Sequence, residues 1–117
     1  MLRLACGELA PDDPYCFCLM DAVFTHDSAW ATAGIGKKNN NPSNLRCITT
    51  DNPYHGKCIP SAGNGSFEWF PDLQTGIYAA VDVYNRLYRG LPADKMTYKW
   101  ARTQNGAYYN ALRKCFL

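Results

Sequence analysis

At 117 residues the chain fits one domain, 1–117, with room for a hydrophobic core of its own. Apolar residues at 47% against 19% charged exclude a disordered chain. The net charge of +2, with Lys and Arg scattered rather than clustered, is too weak for a nucleic-acid footprint and is compatible with an anionic polymer as partner.

The first stretch, "MLRLACGELA", is too short an apolar run for a secretory signal, and Glu8 interrupts it. No apolar run is long enough to span a bilayer. "APDDPYCFCLMDAVFTHDS" reads as a helix. Asp12 or Asp13 suits its cap and Pro14 its first turn. Tyr15, Leu19, Ala22 and Val23 share a stripe flanked by Cys16, Met20 and Phe24, which predicts a core helix ending near His26–Ser28. From Ala33 to Ser66 the periodicity is lost to Gly, Asn, Pro, Ser and Thr. A loop of that length is usually functional or pinned by a crosslink. "GSFEWFP" predicts a short strand or extended segment. "PDLQTGIYAAVDVYNRLYRG" is the strongest helix: Asp72 caps it, Ile77, Ala80, Val81, Tyr84, Leu87 and Tyr88 form its stripe, and Gly90 and Pro92 end it. Short helices follow around Asp94–Ala101 and Gly106–Phe116. The expected fold is mainly α, with one long irregular loop and at most a minimal β element.

The cysteines are Cys6, Cys16, Cys18, Cys47, Cys58 and Cys115. An even number in a short chain favours disulfides and an oxidising compartment: extracellular, periplasmic or virion-associated. Zinc needs ligand pairs such as C-x2-C, whereas one residue separates Cys16 from Cys18, and His26 and His55 complete no site. No metal and no cofactor is expected. Cys47–Cys58 is the predicted bridge, because it closes the turn-rich "CITTDNPYHGKC". The other pairings stay open.

Asp27 falls at the C-terminal end of the first predicted helix, beside Phe24 and Trp30. The helix dipole and apolar neighbours both raise a carboxyl pKa, which is what a general acid for glycosidic cleavage needs. The plainer reading is a residue that turns the chain. Trp30, Trp69, Tyr54, Tyr108 and Tyr109 could line a sugar groove or simply fill the core. Asn39, Asn40, Asn41 and Asn44 suit N-acetyl and hydroxyl groups, or a left-handed turn. His26 has no evident nucleophile beside it.

Taken in chain order, "HDSAW", "GIGKKNNNPSNLRC", "FEWFPDLQTGIYAAVDVY" and "KWARTQNGAYYNAL" resemble the lysozyme-like superfamily of peptidoglycan hydrolases. The resemblance is greatest to the glucosaminidase and lytic-transglycosylase-like proteins of bacteria and their phages. Ser28 and Trp30 match that family's Glu-Ser pair and following Trp. Asn40, Asn41, Pro42, Asn44, Leu45 and Arg46 match its Asn-rich turn, with Ser43 in place of Gly. Phe67, Phe70, Gly76, Ile77 and Ala79 or Ala80 match its middle, and Trp100, Ala101, Asn105 and Tyr108 its tail. The resemblance covers roughly residues 14–112. It implies a lysozyme-like domain, most simply a monomer, that cleaves the bond between N-acetylmuramic acid and N-acetylglucosamine in peptidoglycan or a related N-acetylated glycan. It implies Asp27 as the catalytic acid, where the family has Glu, and supports Trp30, Asn40, Asn41, Asn44 and Tyr108 as substrate-binding residues, to which the aromatic reading adds Trp69. Asp is one methylene shorter than Glu, a retreat of roughly an ångström that can cost about a hundredfold in rate. No second carboxylate stands out, and Asp51, Glu68 and Asp72 are the candidates. The alternatives are a non-catalytic glycan-binding or virion-associated structural module that keeps the cleft, and a small disulfide-rich secreted protein acting on another protein.

Overall fold

A computed structural model describes residues 1–48, 52–101 and 106–117. Among these the chain is mainly helical, with a single two-stranded sheet. The first helix, α1, spans Leu2–Leu9, buries Leu2, Ala5 and Cys6, and packs on two later helices. The sequence offers no periodicity long enough to mark it. Its Cys6 is bonded to Cys16 at the start of the next helix.

That helix, α2, spans Cys16–Ser28 and buries Leu19, Met20, Val23 and Phe24. It begins after the predicted Asp cap, and no side chain caps it. Asp13 instead accepts the Tyr15 N–H at 2.9 Å, accepts the Tyr84 hydroxyl, and lies beside Arg89. Tyr15 consequently leaves the predicted stripe. It is 41% exposed and its ring leans on Phe116.

The segment expected to be irregular contains two short elements. Helix α3 spans Gly34–Asn39 and strand β1 spans Lys57–Ser61. Neither has a local signal of its own, and tertiary contacts form both. A Cβ on Gly36 would come within 2.3 Å of Ser28 Cβ, so only glycine lets α3 sit this close to the end of α2. Strand β2, Gly65–Trp69, pairs antiparallel with β1 from Lys57↔Trp69 to Ser61↔Gly65. Its other edge bridges Arg46 through Phe67. The predicted Cys47–Cys58 bridge pins this loop, Cys18–Cys115 ties α2 to the C-terminus, and no cysteine is free.

Helix α4 spans Leu73–Val83, with Asp72 Oδ1 accepting the Thr75 N–H at 2.7 Å. Every residue from Gly76 to Val83 is buried. The helix then widens into a π-helical turn over Tyr84–Tyr88. The added residue rotates the end of the helix, so Tyr84 stays in the core while Leu87, predicted for the same stripe, is 68% exposed. Helices α5, Ala93–Ala101, and α6, Gly106–Lys114, close the fold. Phe24, Phe70, Ile77, Tyr84, Met96 and Leu112 form the centre of the core. No helix among the described residues is long and apolar enough to cross a membrane.

Candidate functional site

Helix α2 stops abruptly one residue after Asp27. Ala29, Trp30 and Ala31 all have positive φ, at 48°, 60° and 60°. Left-handed backbone costs an L-residue roughly 1–2 kcal/mol, so three in a row are held by their surroundings. Ser28 supplies much of that hold. Its Oγ donates to Pro42 O at 2.6 Å and accepts the Ala31 N–H at 2.8 Å.

The asparagine-rich turn packs directly on this helix end. Asn44 Nδ2 donates to the Asp27 carbonyl at 2.7 Å, satisfying one of the free carbonyls at the helix C-terminus. Asn41, fully buried, donates to Leu45 O and Glu68 O, both at 3.0 Å, and accepts the Leu45 N–H at 2.8 Å. Asn40 Nδ2 donates to Phe70 O at 3.0 Å, and Asn39 bonds Glu68 O. The amides of Asn40 and Asn41 therefore build the turn and do not reach out to a ligand. Of the predicted substrate-binding asparagines, Asn44 alone lines the cleft beside Asp27.

That cleft has a volume of about 670 Å³ and is lined by Asp27, Ser43, Asn44, Arg46, Leu87, Tyr88 and Trp100 among others. Burial pushes the Asp27 carboxyl up to about 7, against the opposing pull of hydrogen bonding from Tyr108 and Trp100. Tyr108, 5% exposed, donates its hydroxyl to Asp27 Oδ2 at 3.4 Å, and its own pKa is raised, first by burial and then by the Asp27 charge. Trp100 Nε1 donates to Ser43 O at 3.3 Å, and its ring packs 4.9 Å from that of Tyr88. Phe67 lines the cleft with the Arg46 guanidinium 4.2 Å above its ring, and Arg46 also donates to Asn64 O.

Across family models, curated proteins and solved structures, nothing matches this chain.

Four of the predicted aromatics lie away from Asp27's cleft, among them Tyr54, whose ring is 5.8 Å from that of Tyr78, and Tyr109, which lines a different pocket. Trp30 stands edge-on to Phe24 at 5.0 Å and donates its indole N–H to Asp21. Trp69 is half-buried on the hairpin with Lys57 Nζ 5.0 Å from its ring. The proposed second carboxylates do not join the site either. Glu68 is fully buried and accepts from Gly56 N at 2.9 Å and Ile48 N at 3.2 Å, and His55 Nδ1 lies 3.1 Å from its Oε1. Asp72 is a helix cap, and Asp51, like Asn105, lies outside the described residues. Glu8 accepts the Tyr78 hydroxyl at 2.9 Å. Among the described residues Asp27 is the carboxylate lining the cleft, Arg46 and Lys99 are its cations, and no three His, Cys, Asp or Glu side chains cluster as metal ligands.

Sequence reasoning does not single out Leu87, Tyr88, Lys99 or Ser43 as site residues. Tyr88 and Leu87 read as core positions of a regular helix, and the π-helical turn re-aims them. Trp100 belongs to the family resemblance without a role, and its partners Ser43 and Tyr88 are remote in sequence.

Proposed function

We propose that the chain cleaves the β-1,4 bond between N-acetylmuramic acid and N-acetylglucosamine in peptidoglycan, with Asp27 as the acid. The observation that carries this reading is a carboxyl whose pKa of about 7 leaves it substantially protonated at neutral pH, lining a cleft large enough for a glycan. Asp27 gives its proton to the glycosidic oxygen as the bond from that oxygen to the anomeric carbon breaks. The carboxylate left behind then takes a proton from the attacking hydroxyl as the new bond to the anomeric carbon forms. With one carboxylate in the cleft among the described residues, the attacking group that fits is the sugar's own hydroxyl, as in lytic transglycosylases. Trp100 and Tyr88 offer ring surface to sugars. Arg46 and Lys99 suit the acidic groups that peptidoglycan carries. The three disulfides fit an oxidising, extracellular compartment, and the peptidoglycan reading narrows it to the periplasm, the cell exterior or a virion. The protein acts as a monomer in this reading.

Digestion of purified peptidoglycan followed by mass analysis tests it. Fragments with anhydro ends are the expected product. Reducing ends indicate water as the attacking group. Retained binding without fragments makes the chain a glycan-binding module, and neither binding nor cleavage overturns the glycan reading altogether.

A further inference from the structure

The turn beside Asp27 contains two buried polar atoms that the fold does not use. Ser43 is 1% exposed, and among the described residues neither its Oγ nor Asn44 Oδ1 has a hydrogen-bond partner. The orientation of the Asn44 amide is fixed by its neighbour: Nδ2 must face the Asp27 carbonyl, to which it donates at 2.7 Å, so Oδ1 is the atom left over. Both residues line the cleft that holds Asp27. Trp100 joins them to the acid, because its indole N–H reaches Ser43 O at 3.3 Å and also hydrogen-bonds toward the Asp27 carboxyl. Buried polar atoms are nearly always paired in folded proteins, so two unpaired ones side by side in a cleft point to a ligand that pairs them.

Their chemistry states which ligand. Asn44 Oδ1 can only accept, whereas the Ser43 hydroxyl can donate. A secondary amide presents one N–H and one C=O, the complementary set. In an N-acetylated glycan the 2-acetamido group is such an amide, and it sits one carbon from the anomeric centre at which an acid lining this cleft would act. We propose that Ser43 and Asn44 form an acetamide subsite, Asn44 Oδ1 accepting the acetamido N–H and Ser43 Oγ donating to its carbonyl. This rests on the glycan reading and assigns its substrate contact. Ser43 stands where the resembled family carries Gly, so the hydroxyl is this chain's own addition.

The test uses the full chain with its disulfides intact, in an Asp27→Asn background so that oligosaccharides survive. Three probes are titrated by calorimetry: the N-acetylglucosamine tetramer, cellotetraose (the same backbone without acetamides, and uncharged), and N-acetyl-alanyl-isoglutamine, a peptide amide without sugar. The N-acetylated tetramer should bind at least tenfold more tightly than cellotetraose. Ser43→Ala should weaken the N-acetylated tetramer about fivefold, the size of one buried hydrogen bond, and leave cellotetraose unchanged. Its melting temperature should hold or rise, because the hydroxyl has no partner to lose. Equal loss for both tetramers, no loss for either, or a drop of several degrees in melting temperature would overturn the acetamide assignment while leaving the glycan reading standing. Ser43-dependent binding of the peptide probe alone would reassign the pair to peptide amides. Binding of none of the three would take down the inference and the glycan reading together.

Discussion

Burial raises the Asp27 carboxyl to about 7, while the hydrogen bonds from Tyr108 and Trp100 pull it the other way. Its raised pKa favours the neutral carboxyl, so the stability linked to it is intact below the unfolded value of ~3.9. It declines as pH rises toward about 7, because the unfolded chain ionises first, and levels off above that. The shift corresponds to about 4 kcal/mol at most, and the partial solvent contact of the side chain reduces this to about 1–3 kcal/mol. Asp27→Asn should therefore flatten the fall in stability between about pH 4 and 7 in urea titrations. It should also abolish cleavage, since an amide donates no acid proton. Asp27→Glu should keep or raise activity by restoring the reach the resembled family uses. If both substitutions leave cleavage intact, Asp27 is only a helix-end residue. Tyr108 supplies a finer test. Its hydroxyl stabilises the Asp27 anion, so Tyr108→Phe should move the alkaline limb of the activity profile upward from about pH 7. An unmoved limb would disconnect Tyr108 from the acid. At this scale Asp27 and Tyr108 are legible because their places follow from helix ends and from the resemblance. Trp30 and Trp69 are misplaced by sequence reasoning because sequence says that an aromatic is near, and not which way its ring turns.

The elements that hold the site differ in how they are encoded. Helix α4 carries its own start signal in Asp72 and its own apolar stripe, so it is readable over its whole regular length. The π-helical turn at Tyr84–Tyr88 is not, since one residue added to a helix leaves no mark in composition. Strand β1 and helix α3 are unreadable for a different reason. Their residues have weak propensities, and their conformation is imposed by contacts with β2 and with the end of α2. The asparagine turn is legible as a turn; Asn40 and Asn41 spend their amides on the backbone, and Asn44 lines the cleft. Asn41 serves the protein backbone with three hydrogen bonds from a fully buried side chain. Asn41→Ala should leave buried backbone groups unpaired and cost about 3 kcal/mol or more in chemical denaturation. A cost under about 1 kcal/mol would show that water replaces those bonds. Gly76 makes the matching contact from α4: a Cβ there would lie 1.9 Å from Asn40 O. Gly76→Ala must therefore displace the turn or the helix. A melting temperature equal to that of the parent would contradict this packing.

At the scale of the whole molecule, the three disulfides divide the work of holding an open cleft in a small chain. Cys18–Cys115 joins residues 97 apart in sequence, whereas Cys6–Cys16 and Cys47–Cys58 close separations of 10 and 11. Constraining the longest loop removes the most freedom from the unfolded chain, about 4–5 kcal/mol for such a closure against about 2–3 for the short ones. Position in the fold points the other way for function. Cys47 and its neighbour Ile48 line the Asp27 cleft, and Ile48 N–H donates to the buried Glu68 that anchors the loop. Cys18 and Cys115 join α2 to the chain end and do not line the cleft. Replacing Cys18 and Cys115 together by Ser should therefore give the larger fall in melting temperature with little change in glycan affinity at a temperature where the variant is folded. Replacing Cys47 and Cys58 together should cost less in stability and more in affinity, because the wall carrying Ile48 is no longer pinned. Melts and binding isotherms on the two double variants decide the matter. If the Cys47/Cys58 pair proves both the more stabilising and the functionally neutral one, the cleft beside Asp27 is not the surface that meets the ligand.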